Sequence, residues 1–252
     1  MAESTESRNS VRTQQLCLWS VPVTGVILLV AFAMFPGFFP PMSPDESATQ
    51  VANFYRDNTS RIQFSMVVFN LFNVMLVPFY AVVVTQIRRM ATPSQVLGFC
   101  YLTAVVSGAT LFALADIFWL VAAFRPERNP ELVQLLNDLA WIVLVAPVGM
   151  MVVQGLVLAL AVYLDDRANP VLPRWVCPFN LVAAALWAPA AGAAVARTGP
   201  FAWDGFFSFW LHWTVLAVYV ITMLVVLTTA VRRQSASAPL VDDMASNMEN
   251  AV

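Results

Sequence analysis

Six apolar runs, each long enough to cross a bilayer, constrain this chain more than any other feature. At ~1.5 Å of rise per residue, roughly 20 residues cross a ~30 Å hydrocarbon core. The runs lie at 16–35, 62–87, 96–123, 139–164, 177–195 and 206–231. Inside lipid every backbone N–H and C=O must be paired within the span, so runs of this kind fold as helices. They predict an all-α fold, a polytopic membrane helix bundle with six transmembrane helices. The balance of residues agrees: 60% of the 252 are apolar, 11% are charged, and mean hydropathy is +0.72.

That balance also excludes several functions. Net charge is −2, and the basic residues stand singly or in doublets, so nothing points to nucleic acid. All thirteen basic residues are arginine, and with abundant Ala and Val this hints at a high-GC bacterial source. Cys17, Cys100 and Cys177 fall in three different spans without C-x-x-C spacing and read as small buried hydrophobes. With His212 the only histidine, no bis-histidine haem or histidine-rich metal site can be built in one copy, and no cofactor or metal is expected. Nor is there a G-x-S-x-G elbow, a phosphate loop, a dinucleotide fingerprint or an H-E-x-x-H helix.

The ends are polar. Residues 1–15 predict a disordered amino terminus and 233–252 a disordered tail, framing a transmembrane domain over 16–232. The first run ends near "AFA", which resembles a signal-peptidase site, but its apolar region is longer than a signal peptide's ~7–15 residues, and a retained helix is expected. Six spans put both termini on one side. That side carries eight arginines (Arg8, Arg12, Arg88, Arg89, Arg167, Arg174, Arg232, Arg233) against five opposite, predicting cytoplasmic termini in the inner (plasma) membrane.

In the first outer loop, Ser43 as N-cap, Pro44 at the first helical position and Glu46 closing a capping box predict a short interfacial helix over 44–57. Its apolar members Ala48, Val51, Ala52 and Tyr55 share a face, which suits either a simple lid or a gate over a pocket. Asn129 before Pro130 and Glu131 predicts a second cap, starting the fourth helix outside the bilayer.

Depth then groups the polar residues. Asn70, Asp116 and His212 each fall ~12–13 Å inside the outer end of a different helix at ~1.5 Å per residue. Asn73 shares Asn70's face, and Ser208 shares His212's. Polar groups in hydrocarbon turn inward and find one another, so Asn70, Asn73, Asp116, Ser208 and His212 form the candidate ligand-binding cluster. The plainer alternative makes the asparagines interhelical glue and the seven aromatics of "FAWDGFFSFWLHW" an interfacial belt. In the fifth span Ala184, Ala188, Gly192 and Ala196 recur every four residues, a stripe that admits close helix packing, inside the chain or with another subunit.

The leading functional expectation is a non-enzymatic accessory or scaffold subunit of a membrane assembly that handles lipids or other apolar molecules. Its partners would be the bilayer, other membrane subunits and a lipid or apolar ligand. The alternative is a small transporter or ligand-binding membrane protein with its site at Asp116. A membrane enzyme using Asp116 and His212 ranks third, since Ser208 is the one evident nucleophile near them.

Overall fold

A computed structural model describes the backbone of residues 2–91 and 95–249, and the side chains of 9–91 and 95–236. Among the described residues eight α-helices run in chain order: α1 (Ala2–Met34), α2 (Ala48–Phe72), α3 (Val77–Ile87), α4 (Gln95–Phe124), α5 (Pro130–Val145), α6 (Gly149–Tyr163), α7 (Val176–Trp187) and α8 (His212–Glu249). Among the described residues all regular structure is helical, and six helical stretches are long and apolar enough to cross a membrane. This fits a multi-pass membrane protein. Part of the expected disorder at the two ends falls on Met1, on 250–252 and on end side chains outside the described residues.

Two spans are broken. The second joins α2 to α3 through a 3₁₀ turn at Asn73–Leu76, ahead of Pro78, whose ring removes a backbone donor. The fourth joins α5 to α6 across Ala146–Val148, where Pro147 does the same. The fifth span tightens into a 3₁₀ segment at Ala188–Ala194, and the sixth opens with a π-helical turn at Phe206–Leu211. Chain order alternates the loops, so 35–47, 125–129 and 195–205 share one face of the bundle and 88–91, 164–175 and the outer ends of α1 and α8 share the other.

Local signals explain the starts. Asn129 caps α5, its side chain accepting the Glu131 N–H at 2.9 Å. In the first loop the expectation is corrected. Helix α2 begins at Ala48, capped by Ser47, whose hydroxyl accepts the Gln50 N–H while Gln50 Oε1 accepts the Ser47 N–H at 2.9 Å. Both Ser43…Glu46 and Ser47…Gln50 fit the capping pattern. The second prevails because it starts a helix that continues unbroken into the span. No separate helix over 44–57 exists; Val51, Ala52 and Tyr55 are buried at the end of the bundle, and Tyr55 donates to Asn137 Oδ1 at 3.0 Å. The cysteine reading is also corrected, since Cys100 is exposed on the outside of α4 and Cys17 and Cys177 are only half-buried.

The core has two parts. Toward the terminal face Phe79, Tyr101, Leu158, Trp187, Tyr219 and Met223 pack together. Toward the loop face an aromatic cluster holds Phe32, Phe38, Phe69, Trp119, Trp141 and Phe209. Outside, Leu29, Val67, Val106, Leu156, Ile221 and Val225 are exposed, as a lipid-facing surface requires. The loops of one face are tied by the Trp203 indole donating to Met42 O at 2.8 Å and Gln134 to Glu46 O at 2.9 Å. On the other face Asp165 accepts the N–H groups of Ala91 and Val171, and Gln86 donates to Gln14 Oε1 at 2.6 Å.

Candidate functional site

Between the two core clusters lies a cavity of about 130 Å³. Five of the six spans contribute walls: Phe32 from α1, Asn73 and Tyr80 from either end of the α2–α3 break, Gly108 and Phe112 from α4, Gln154 from α6 and Trp213 from α8. Gly108 stands at the middle of α4, so the cavity is near mid-span. No lining residue is charged.

The backbone irregularities converge here. Asn73 and Leu76 of the 3₁₀ turn line the cavity, Met150 and Met151 follow the Pro147 break, and Trp213 follows the π-helical turn. Non-helical backbone at membrane depth survives where it is buried in protein or lines a cavity, and π-turns recur at functional sites.

Two amides sit at that volume without partners. Asn73 is 8% exposed, and both its amide atoms are buried without a hydrogen bond. Gln154 is 7% exposed and makes no side-chain hydrogen bond among the described residues, while its amide keeps some open surface. The Trp213 indole N–H is likewise buried and unpartnered. An unmade hydrogen bond in a dry interior costs on the order of 1–3 kcal/mol. Asn73 and Trp213 carry such a cost beside the cavity, and Gln154, which lines it, keeps its amide open for a partner.

The residues singled out in the sequence fall into separate places. Asp116 is fully buried; neither carboxylate oxygen has a hydrogen bond, and Asn70 is the polar side chain that faces it. Asn73 belongs to the cavity instead. His212 is buried beside Gly108, Val148 and Met150, with Nδ1 unpartnered, at a small void that shares Phe112 and Met151 with the larger one. The Ser208 hydroxyl donates to Phe201 O at 2.7 Å, not to His212. Asp116 and His212 form neither an ion pair nor a hydrogen bond with each other. Chemically, this leaves a nucleophile already engaged and an acid and base that do not meet.

In the small-residue stripe, Ala184 packs against Gly155 of α6, where an added Cβ would lie 2.9 Å from Asn180 O and 3.1 Å from the Ala184 Cβ. Gly192 abuts Phe201, Ala188 is exposed and Ala196 is half-buried. Close approach at two of the four positions is thus internal. On the loop face, burial pushes the Asp204 carboxyl above its usual range, more than its own backbone N–H and Ser43 lower it, and nearby Asp45 adds to the rise. Arg89 on the other face is lowered by its half-burial and by Arg167.

Gln154, Tyr80 and Trp213 escaped sequence reasoning. Gln154 had a usable signal: it is the one strongly polar side chain in the run 139–164, seven residues after Pro147. Tyr80 and Trp213 had none, because an aromatic in an apolar span usually signifies packing. No protein-family model, curated protein or solved structure matches the chain.

Proposed function

We propose that this protein is a non-enzymatic membrane protein that binds a small, uncharged, largely apolar molecule of the lipid class in its mid-span cavity. The observation that carries the reading is the cavity at which three irregular spans meet and which the unpartnered Gln154 amide lines, with the buried, unpartnered Asn73 and Trp213 beside it. Ligand sites in membrane helix bundles recur near the midplane at interrupted helices. An uncharged lining selects an uncharged occupant, since nothing there would offset the desolvation of an ion. Orientation with both termini in the cytoplasm, in a bacterial inner membrane, is supported by the arginine asymmetry.

The placement of the site differs from an Asp116-centred transporter, because Asp116 is outside the cavity. The accessory-subunit reading draws its support from Ala188 and the outward apolar surface, since Ala184 and Gly192 are occupied within the chain. Native mass spectrometry of protein purified in mild detergent tests the proposal. The expected result is a stoichiometric neutral adduct, lost in Gly108→Leu, whose side chain would enter the cavity past Met150. Wild-type protein with no adduct, recovered from membranes under conditions that keep it folded, would overturn it.

A further inference from the structure

Size, wall chemistry and hydrogen-bonding capacity together narrow the occupant. A void of about 150 Å³ holds one benzene ring. The present cavity, at about 130 Å³ and open on one side, seats a single six-membered ring with its substituents reaching toward the opening. A sterol nucleus or a phosphoglycerol head is larger, and the latter is charged.

The walls are flat. Phe69 and Phe112 stack with ring centroids 6.1 Å apart and planes 30° from parallel, and Trp213 meets Phe112 edge-on at 6.3 Å. Trp213 also meets Phe32 edge-on at 5.5 Å. Aromatic faces and edges of this kind favour a planar partner, and the thioethers of Met150 and Met151 beside them add polarisable contacts. An acyl chain would gain burial but nothing from the planarity.

The polar groups ask for oxygen. Trp213 Nε1 can only donate, whereas the amides of Asn73 and Gln154 and the Tyr80 hydroxyl can donate or accept. A ring carbonyl accepts from any of them, and a ring hydroxyl could be accommodated by turning an amide over. Gln154 and Tyr80 come from two different spans and keep their polar atoms open, so ring oxygens on separate edges could be met at once.

We propose that the cavity receives an uncharged six-membered ring bearing carbonyl oxygens, the head of a quinone-type lipid, through stacking on Phe112 and Trp213 and hydrogen bonds from Gln154 and the Tyr80 hydroxyl. The inference rests on the ligand-binding reading above and adds the chemical class. Binding alone is claimed, with no electron transfer by this chain.

The test uses the full-length protein in detergent micelles, with duroquinone as the ring probe and dioctanoylglycerol as an uncharged acyl probe without a ring. Saturable quenching of tryptophan fluorescence by duroquinone is expected. Gly108→Leu should abolish the saturable component, and Gln154→Leu should weaken it about tenfold, the equivalent of one hydrogen bond. Thermal unfolding of each variant checks folding; if Gly108→Leu fails to fold, Gln154→Leu decides alone. Quenching that is linear in concentration, or indifferent to the folded variants, would overturn the proposal. Dioctanoylglycerol binding without duroquinone binding would overturn the ring assignment and leave the lipid-binding function standing. Failure of both probes, together with no native adduct, would remove both.

Discussion

Asp116 shows how far a single residue can be read. Its presence in an apolar run marked it from sequence as costly, and burial without a hydrogen-bonded partner bears on that cost. Its partners were legible only in part, because depth along a helix is fixed by ~1.5 Å per residue while the facing direction depends on packing. Asp116→Asn should therefore leave duroquinone binding unchanged and raise thermal stability by about 1 kcal/mol, since a neutral amide facing Asn70 is cheaper to bury than a carboxylate. A variant that unfolds at lower temperature would instead make the carboxylate structural. Asp204 gives a pH-dependent counterpart on the loop face. Its carboxyl is raised in the folded protein, so the folded state binds its proton more tightly than the unfolded state does. Stability should fall as pH rises from the ordinary carboxylate value through the raised one, and the penalty is complete above it. Melting temperatures of Asp204→Asn should exceed wild type at pH 7 and converge with it in acid; a constant difference across pH would contradict the assignment.

At the scale of elements, the apolar runs specified helices because lipid leaves the backbone no other way to pair within a span. The six stretches found correspond to the six expected, and the Asn129 cap stands where its side chain placed it. What escaped was continuity. Pro78 and Pro147 were visible as residues, yet whether a proline kinks a helix or ends it depends on what neighbouring helices can pair with the freed carbonyl. Ser43 and Ser47 offered equivalent caps, and burial of Val51 and Tyr55 against the bundle favoured the second. Close packing of α6 on α7 gives a sharp element-scale expectation. Gly155→Val would drive its side chain into Asn180 O and Ala184, so α7 must move, with destabilisation of about 1–3 kcal/mol in reversible unfolding. Tyr55→Phe, which removes the α2–α5 hydrogen bond to Asn137, should cost about 1 kcal/mol in the same assay. A silent Gly155→Val would mean that the two helices are not in contact at this point.

For the whole molecule, an even number of spans puts both ends on one side, and the proposal that this side is cytoplasmic draws on the arginine distribution. Fluorescent-protein fusions at either end should light in bacterial cells while periplasmic-only reporters stay inactive; an active periplasmic reporter at one end would break the six-span topology. Within that frame the central claim concerns the seam between the two core clusters, where interrupted helices leave a ring-sized volume and unpaired amides. Charge, periodicity and composition could not reveal it, because a cavity is a property of how five spans miss one another. The most direct measurement is an experimental density map of protein taken from native membranes without delipidation. Density for an uncharged molecule is expected against Phe112 and Trp213, with an oxygen in hydrogen-bonding range of Gln154. A cavity closed by Met150 and Phe112, with Asn73 and Gln154 bonded to protein groups, would contradict it.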